Sequence, residues 1–401
     1  MKGHILIVAD GRSPTALSWI ENIQSLGYRV SLISTFPCKP PENLAHFRVI
    51  PIAFSKFSRQ PDASGSQPRT SVLRTLVKRF LPLFQSLRYV LGPMTLPRYE
   101  HIFLQTVEDI QPDLVHALRI PFEGMLGQFT PPKIPFLAAT WGNDLTLHAQ
   151  GSSLMRRWTR RCLQRADGLS SDTHRDVRLA QEWGLSASAF TLVVPGSGGL
   201  ELEAIRAAKP FNNNPFGIPS NGPRVVNPRG LRPGSVHQDV FFAAIPDVLD
   251  VHPGAVFICP GLAGIRQVEA WVDKFDIQQQ TFLLPPLTQE QLWALFADSA
   301  LFVSPSSHDG TPNTLLEAMA SGCFPVVGDI ESLREWITNE ENGILVDPQD
   351  PDKLAGAIIT ALNNRRLRLE ASERNLAIIE ERAAKSATLP QIDAFYTQFL
   401  K

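Results

Sequence analysis

Two carboxylates, those of Asp309 and Glu317, lie on either side of the start of a predicted helix. The apolar run from Leu301 to Val303 precedes them and is typical of a buried strand. Asp309 falls in the polar loop after this run, and Glu317 falls on the helix face that also carries Asn313. Carboxylates in such positions accept hydrogen bonds from hydroxyl groups. The spacing therefore predicts a pair of hydroxyl-binding acids, with sugar and ribose hydroxyls as the obvious ligands.

The ends of the same helix can be read from the sequence. Thr311 is expected to cap it, Pro312 fits its first position, and Gly322 suits a left-handed turn after its end. Because proline has no N–H, the backbone N–H groups of Gly310, Thr311 and Asn313 are left to point out of the helix start, which favours a bound anion such as phosphate. The alternative is an ordinary acid near a helix start, followed by a surface Glu.

The stretch from Leu301 to Gly322 resembles the acidic-x7-Glu motif of retaining, nucleotide-sugar-dependent glycosyltransferases in the glycosyl transferases group 1 family. The motif of that family usually opens with Glu, whereas here it opens with Asp309. The resemblance implies the GT-B fold, in which two Rossmann-like domains face a cleft. It further implies that Glu317 holds the ribose of the donor and that Asp309 contacts the transferred sugar.

A second match to the family follows the first strand of the C-terminal half, in the run Asn227-Pro228-Arg229. In the resembled family, an Arg just after this strand and a Lys five residues later clamp the leaving diphosphate. Arg229 matches the Arg, but Gly234 stands where the Lys is expected, so Arg232 or His237 is expected to supply the missing charge. The alternative for Arg229 is a solvated surface residue.

The N-terminal half carries polar residues after predicted strands, where open α/β sheets bind ligands. The run from Trp141 to Asp144 resembles the Trp-Gly-x-Asp or His-Gly-x-Asp segment of the family, which implies that Trp141 and Asp144 lie on the acceptor side. The alternative is a turn in which Asp144 caps the next helix. His116 and Arg12 are further acceptor-side candidates, although a lone His is more often a core residue. The loop that contains Arg12 lacks GxGxxG, which argues against a nicotinamide or flavin dinucleotide.

Composition limits the classes of protein that remain. The chain has 401 residues, 43% of them hydrophobic, which is enough for two domains with separate cores. A net charge of −1 argues against nucleic acid as a partner. The four cysteines are widely separated and match no zinc motif. With neither a signal peptide nor a run of 18 apolar residues, the expected location is the cytoplasm.

The pattern of apolar runs predicts two α/β domains, each with a parallel sheet. The first half opens with a βαβ unit in which a helix from Pro14 to Leu26 closes at Gly27. A composition break at 207–223 predicts the linker. We therefore predict an acceptor-side domain at 1–206, a nucleotide-sugar domain at 224–387, and a C-terminal helix at 388–401 that returns to the first domain. Strands of the second domain are predicted at 224–227, 256–259, 281–284, 301–304, 325–327 and 344–346.

Residues 69–98 combine basic side chains with an apolar stripe and contain no acid. Such a helix could lie on an anionic membrane surface, which makes peripheral contact with the inner face of the membrane one interpretation. The other is a helix packed on its own domain with solvated basic residues.

The predicted reaction is transfer of a sugar, of hexosyl type, from a nucleoside-diphosphate sugar to an acceptor hydroxyl with retention of configuration. No metal motif and no cofactor are predicted, so Arg229 and the helix start near Thr311 must neutralise the departing diphosphate. The acceptor could be a saccharide, a lipid-linked molecule or a small molecule. Two alternatives remain, a nucleotide-sugar epimerase or sugar-phosphate synthase of the same fold, and a sugar-binding protein, which the lack of an export signal disfavours.

Overall fold

The computed structural model describes residues 2–55, 81–208, 216–219 and 221–400. Residues 69–80 of the predicted basic helix, and residues 209–215 and 220 of the predicted linker, lie outside these ranges. Packing divides the chain into an N-terminal unit, formed by Met1–Gly198 and Leu389–Lys401, and a C-terminal unit, formed by Gly199–Thr388. Each unit is built around its own parallel sheet.

The N-terminal unit contains a seven-stranded sheet in the order β3-β2-β1-β4-β5-β6-β7. Neighbouring strands are parallel throughout, and β1, an interior strand between β2 and β4, is buried along its whole length. This burial explains why its sequence is a continuous apolar run. The strands are β1 (His4–Ala9), β2 (Arg29–Ser34), β3 (Phe47–Val49), β4 (Leu114–Ala117), β5 (Phe136–Thr140), β6 (Gly168–Ser171) and β7 (Phe190–Val193).

Side-chain caps fix the starts of several helices in this unit. The Ser13 hydroxyl accepts from the N–H of Ala16 at the start of the first helix, and Gly27 beyond its end has φ +90°, as the sequence predicted. The helices are α1 (Pro14–Ser25), α2 (Leu81–Thr95), α3 (Pro97–Ile110), α4 (Met125–Gly127), α5 (Ser153–Arg165) and α6 (His174–Glu182). Two π-turns, Ile120–Gly124 and Asp144–His148, follow β4 and β5.

The C-terminal unit contains a six-stranded parallel sheet in the order β10-β9-β8-β11-β12-β13. All six of its strands were predicted from the sequence. They are β8 (Arg224–Val226), β9 (Val256–Pro260), β10 (Thr281–Leu284), β11 (Leu301–Ser304), β12 (Phe324–Gly328) and β13 (Ile344–Val346). The helices are α7 (Leu202–Ala207), α8 (Gln238–Val251), α9 (Arg266–Lys274), α10 (Gln289–Ala297), α11 (Asn313–Ala320), α12 (Glu331–Arg334), α13 (Pro351–Asn363) and α14 (Arg365–Arg382).

The central position of β11 determines which loops meet. Leu301 of β11 lies beside Val225 of β8 and, on the other side, beside Phe324 of β12. Because parallel strands end at the same edge of a sheet, the loops that follow β8 and β11 emerge side by side. The sheet therefore brings the loop of Arg229 to the loop of Asp309.

The last helix, α15 (Lys385–Thr397), contributes its second half to the N-terminal unit. Ile392, Phe395 and Tyr396 pack into the core around β1, and Asp393 forms an ion pair with Lys2 at 2.7 Å. The predicted return of the C-terminal helix to the first domain is thus confirmed. None of the helices within the described ranges is long and apolar enough to cross a membrane.

Candidate active site

Two loops at the ends of β8 and β11 form the core of the candidate site in the C-terminal unit. The turn after β8 is fastened to the loop after β11, since the N–H of His237 donates to the carbonyl of Pro305 at 2.9 Å. Val236 and Ser306 form an isolated antiparallel bridge, and the ring Nε2 of His237 lies 3.0 Å from the hydroxyl of Ser307. The two loops are therefore held as one surface.

Arg229 and Asp309 form an ion pair within this surface. Arg229 is only 6% exposed, and its Nη1 also donates to the hydroxyl of Thr314 at 3.2 Å. Its Nε has no hydrogen-bond partner among the described residues. A buried guanidinium retains a high desolvation cost unless anions surround it. Arg229 is therefore a buried cation beside a helix start and not a solvated surface residue.

An amide network holds the backbone that carries Arg229. The side-chain oxygen of Asn227 accepts from the N–H of Arg229 at 3.2 Å, and its Nδ2 donates to Gln238 at 2.8 Å. Gln238 in turn donates to the carbonyl of Gly230 at 2.8 Å. Both amide side chains are buried, so the network holds the loop of Arg229 against the end of β8. Arg232, predicted as a second donor-binding cation, is exposed on the turn that follows.

The loop before α11 is supported by α12 and the residues after it. The hydroxyl of Ser332 donates to the carbonyl of Asp309 at 2.8 Å, and the indole N–H of Trp336 donates to the hydroxyl of Thr311 at 2.8 Å. The N-cap of α11 is Pro312, without a side-chain cap. The predicted cap by Thr311 is therefore wrong, because its hydroxyl is directed to Trp336. Gly322 has φ +81°, as predicted for the turn after this helix.

The other two residues predicted at this helix start lie close to the acid. Gly310 is buried, and its N–H donates to the carboxylate of Asp309 at 3.2 Å. Asn313 is half-buried and is the first residue of α11. The structure thus brings Arg229, Asp309, Gly310, Thr311 and Asn313 into one part of the unit.

Glu317 is buried on α11, with an exposure of 5%. Its Oε1 accepts from Nε2 of Gln289 at 2.5 Å, whereas Oε2 has no hydrogen-bond partner among the described residues. Burial raises the pKa of this carboxyl to about 7, against the effect of Gln289 and of the nearby Trp293 indole, both of which favour the charged form. The indole N–H of Trp293 also has no regular hydrogen bond in the described part of the chain, so it approaches the carboxyl without satisfying Oε2. The interpretation as a solvated surface Glu is therefore wrong. An unsatisfied buried oxygen is suited to accept a hydrogen bond from a ligand hydroxyl.

A cavity of about 250 Å³ lies within the N-terminal unit, at the ends of β1, β4 and β5. Its walls include Trp141, one of the predicted acceptor-side residues. Arg12, another of them, pairs with the wall residue Asp10 at 2.9 Å, and its guanidinium lies 3.9 Å from the ring centre of Phe36. These two predicted residues therefore lie in or next to one cavity.

Asp144 does not line the cavity, and its role as a ligand contact needs correction. Its side chain is fully buried, and it forms an ion pair with Arg119 at 2.6 Å. Its other oxygen accepts from the N–H of Trp141 at 3.2 Å. Both carboxylate oxygens are thus occupied by the protein. Asp144 therefore orients Arg119 and Trp141, which are cavity residues, and its Oδ2 also accepts from the N–H of Ile120 at 3.3 Å.

His116 is a core histidine, so its place among the acceptor-side candidates is also corrected. It is 0% exposed, and its ring lies 2.7 Å from the hydroxyl of Tyr396 and 3.1 Å from that of Ser170. Burial lowers the pKa of His116 to about 3, so the ring is neutral. Both ring nitrogens are satisfied, and the residue connects β4 to α15.

Sequence reasoning missed several residues of these sites. Gln289 and Trp293 surround Glu317 from α10, and Arg88 and Glu123 line the cavity. Gln289 follows a recognisable capping box at Thr288, which could have placed the start of α10 but not its contact with α11. Within the described ranges, no group of three or more His, Cys, Asp or Glu side chains could hold a metal ion.

Comparison with solved structures gives the fold class of the protein. Sucrose-phosphate synthase from Thermosynechococcus elongatus superposes with a TM-score of 0.73, at 17% identity over 99% of both chains. HepE of Anabaena, in a complex with UDP and glucose, gives a TM-score of 0.70 at 14% identity over 99% of this chain and 100% of that one. With its two parallel-sheet α/β units, the protein therefore has the GT-B fold.

Matches to family models identify the family to which the sequence belongs. Residues 10–196 match the glycosyl transferase 4-like domain, and residues 210–377 match the family described as glycosyl transferases group 1. The chain belongs to the group 1 glycosyltransferases, as the motif at Asp309 and Glu317 indicated. Among the relatives of the chain, the D-inositol 3-phosphate glycosyltransferase of Acidothermus cellulolyticus is 25% identical over 48% of this chain and 45% of its own length. That of Corynebacterium jeikeium is 25% identical over 59% of each chain.

Proposed function

We propose that the protein transfers a sugar from a nucleoside-diphosphate sugar to an acceptor hydroxyl. The observation that carries the proposal is the cluster in the C-terminal unit, where the buried Arg229–Asp309 pair lies at a helix start and Glu317 offers a buried oxygen that no described residue hydrogen-bonds. A cation beside a helix start suits a diphosphate, and a carboxylate oxygen suits a ribose hydroxyl. The membership in group 1 supports the same assignment.

Each residue of the cluster has a proposed contact with the donor. Glu317 accepts hydrogen bonds from the ribose, and Arg229 binds the diphosphate together with the start of α11 at Gly310, Thr311 and Asn313. Asp309 contacts the transferred sugar, with Arg232 as a further cation from the neighbouring turn. Negative charge grows on the diphosphate as its bond to the sugar breaks, so Arg229 stabilises the transition state more than the bound donor.

We propose that the transfer retains the anomeric configuration and needs no divalent metal. The acceptor attacks from the face that the diphosphate leaves, and the leaving phosphate oxygen takes the proton of the acceptor. The proton thus moves between substrates, which makes a protein base unnecessary. Arg229 and the helix start supply the positive charge that the departing diphosphate requires.

The names of similar proteins suggest where to begin the search for substrates. HepE of Anabaena was solved with UDP and glucose, so UDP-sugars are the first donors to test. Two relatives are named as D-inositol 3-phosphate glycosyltransferases, which suggests small phosphorylated polyols among the first acceptors. A cytoplasmic role in the synthesis of a glycan, glycolipid or polysaccharide is consistent with these assignments.

Donor binding is tested by calorimetry on Glu317→Gln, with Glu373→Gln as the control. Loss of the charge-assisted hydrogen bonds should weaken donor binding by about 10- to 150-fold, equivalent to roughly 1.5–3 kcal/mol. Glu373 is exposed on α14, so its variant should bind as the wild type does. Unchanged affinity of a folded Glu317→Gln variant would remove Glu317 from the donor site.

The course of the reaction is tested by incubating the protein with nucleotide sugars, with and without acceptors. NMR of the product should show the anomeric configuration of the donor, and EDTA should leave the rate unchanged. Conversion of the donor without any acceptor would instead indicate an epimerase. Tight sugar binding without turnover of any donor would indicate a sugar-binding protein.

We further propose that the N-terminal unit touches the inner face of an anionic membrane through residues 69–98. Within the described part of this segment, Val90 and Met94 on α2 are 45% and 60% exposed, which is unusual for large apolar side chains. Sedimentation with vesicles tests the contact. Binding to anionic vesicles at low salt should be lost on neutral vesicles, and equal pelleting with both would contradict the proposal.

A further inference from the structure

The cavity of the N-terminal unit has walls of two kinds. Tyr89, Phe122 and Trp141 supply aromatic surface, while Arg88, Arg119 and Glu123 supply charge. Small-molecule sites typically combine apolar and aromatic walls with a few converging polar groups. At about 250 Å³, the cavity lies just below the usual range of roughly 300–1,000 Å³, so it suits a ligand the size of one sugar and not a glycan chain.

Of the three arginines in or next to the cavity, two form ion pairs with carboxylates in the described part of the chain, and Arg88 does not. Arg12 pairs with Asp10 at 2.9 Å, and Arg119 pairs with the buried carboxylate of Asp144 at 2.6 Å. Arg88 has no ion pair in the part of the chain that the structure describes, and its Nε has no hydrogen-bond partner there. Its guanidinium carbon lies 4.7 Å from the ring centre of Phe122, which offers only a cation–π contact.

The environment of Arg88 favours a bound anion. Burial lowers the pKa of Arg88, which reports that its charge is poorly solvated, while Glu123 acts in the opposite direction. Glu123 itself has its pKa raised by burial, and the hydroxyl of Thr35 donates to its Oε1 at 2.8 Å. Within the described part of the chain, the Glu123 carboxylate forms no ion pair with Arg88, so it supplies no direct counter-charge to the guanidinium.

The backbone beside Arg88 is held in an uncommon conformation. Phe122 has φ +69° and ψ −51°, a region that side chains rarely adopt, within the π-turn Ile120–Gly124. Such strain is concentrated at ligand sites, where the surrounding structure maintains it. The ring of Phe122 faces the guanidinium of Arg88. The residue with the uncommon backbone conformation therefore lies beside the cation in the wall of the cavity.

We propose that Arg88 is a specificity-determining residue of this acceptor-side cavity, and that its guanidinium selects an acceptor bearing a phosphate group. This inference rests on the proposed function, because it names the class of the acceptor. The aromatic walls hold the polyol portion, whose free hydroxyl receives the sugar, and the phosphate ester supplies the counter-charge that Arg88 lacks. A soluble polyol phosphate and a phosphorylated lipid headgroup share this chemistry.

The test measures binding of matched pairs by calorimetry, glucose against glucose 6-phosphate and glycerol against glycerol 3-phosphate. The phosphorylated member of a pair should bind at least tenfold more tightly, with an affinity that falls as salt rises. Vesicles with phosphatidylinositol, compared with vesicles of equal charge made with phosphatidylserine, distinguish the lipid source from a general attraction of residues 69–98 to anionic lipid. If only the vesicles show a preference, for phosphatidylinositol, the acceptor is a lipid headgroup, and if only the soluble esters show one, the acceptor is free.

Two variants separate recognition by Arg88 from a structural effect. Arg88→Gln should abolish the preference for phosphate, by at least a tenfold loss for the phosphorylated member and none for the neutral one. Arg157→Gln, which alters an exposed Arg on α5 outside the segment 69–98, should keep the preference. A loss of equal size for both members, or a wild type without preference, would overturn the proposal.

Binding of a nucleoside diphosphate is measured on the same samples. If the wild type binds the diphosphate and transfers sugar but shows no preference for phosphorylated polyols, only the present inference fails. If it prefers phosphorylated polyols through Arg88 but neither binds a diphosphate nor turns over any donor, the anion site stands and the proposed transferase function fails.

Discussion

At the scale of residues, the pair Arg229–Asp309 is the feature that most changes the interpretation of the donor site. In the free protein the two charges neutralise each other, and both side chains are largely buried. A diphosphate that approaches Arg229 must therefore compete with Asp309 for the same guanidinium. In the resembled family this position usually carries Glu, whose carboxylate lies one methylene further from the backbone. Because the Asp309 side chain is shorter, Asp309 and the diphosphate compete for Arg229 close to the backbone of the loop before α11.

We predict that Asp309→Asn lowers kcat/KM for the nucleotide sugar and raises the affinity for the free nucleoside diphosphate several-fold. The amide no longer competes for Arg229, while the charge-assisted hydrogen bond to the sugar is lost. Steady-state kinetics and calorimetry on the same preparation measure both quantities. Asp309→Glu, which keeps the charge, should retain more activity than Asn. A parallel fall in both quantities would mean that Asp309 shapes the loop and does not hold the sugar.

Glu317 gives a prediction on stability, because burial raises its pKa to about 7 from the usual 4.5 of a glutamic acid. Between these two pH values the folded protein binds a proton that the unfolded chain has lost. The free energy of unfolding therefore falls as pH rises through this window and stays low above it. Glu317→Gln removes this effect and should stabilise the protein by up to about 3 kcal/mol at pH 8, with little gain at pH 4.

Denaturant unfolding of the wild type and of Glu317→Gln across pH 4 to 8 measures this difference, and Glu373→Gln serves as the surface control. If the curves of wild type and Glu317→Gln run parallel across the whole range, the carboxyl is already ionised in the folded protein. The same substitution should weaken donor binding, so a gain in stability would accompany a loss of function.

The sequence identified Glu317, Arg229 and Asp309 because each stands at a fixed distance from a strand or helix end. It could not identify the partners of their side chains. Gln289 comes from a separate helix, and the Arg229–Asp309 pair joins residues from two strands that only the sheet makes neighbours. Local patterns contain no information about such contacts. For the same reason, the sequence predicted Thr311 as a helix cap, whereas in the structure its hydroxyl accepts from the indole of Trp336.

At the scale of elements, prediction succeeded where strands are apolar on both faces and failed where they are not. The strands of the C-terminal unit are short hydrophobic runs, as expected for a sheet covered on both sides. Two strands of the N-terminal unit were missed. β3 is a three-residue edge strand that is only half-buried, and β6 has the sequence Gly-Leu-Ser-Ser, whose small polar residues do not form an apolar run.

Helix α10 connects a local sequence signal to the donor site. Thr288 and Gln291 form a capping box, and the next residue after Thr288 is Gln289, which donates to Glu317. We predict that Thr288→Ala destabilises the protein by about 0.5–2 kcal/mol and also weakens donor binding, because the first turn of the helix frays and moves Gln289.

Thermal unfolding and calorimetry with the donor measure the two effects of this variant. Thr288→Ser, which keeps the capping hydroxyl, should preserve both stability and affinity. Gln289→Ala should weaken donor binding without the loss of the cap. If Thr288→Ala reduces stability but leaves the affinity for donor unchanged, the start of α10 is dispensable for the orientation of Glu317.

At the scale of the whole molecule, the chain returns to its N-terminal unit after completing the C-terminal one. The sequence suggested this only through its family resemblance, since helical spacing of Ile392, Phe395 and Phe399 shows an apolar face but not its partner. In the structure, the partner is the core around β1. A buried chain of hydrogen bonds fixes the register, in which the indole of Trp19 donates to Tyr396 at 2.9 Å and Tyr396 contacts His116 at 2.7 Å.

The direction of these bonds follows from the chemistry of the groups. Because the indole of Trp19 can only donate, the oxygen of Tyr396 accepts and its proton goes to the Nδ1 of the neutral His116. His116 then donates through Nε2 to Ser170. The substitution Tyr396→Phe leaves a buried indole N–H and a buried ring nitrogen without partners.

We predict that Tyr396→Phe destabilises the N-terminal unit by about 1–3 kcal/mol and leaves the C-terminal unit unchanged. In a calorimetric scan, added nucleoside diphosphate identifies the transition of the C-terminal unit by raising it. The other transition should fall by about 2–4 °C for each kcal/mol lost. Tyr28→Phe is the matched control, because the Tyr28 hydroxyl donates to the partly exposed Asp393 and its loss should be smaller. Equal shifts of both transitions in Tyr396→Phe would show that the two units unfold together, so α15 would stabilise the whole molecule and not one unit.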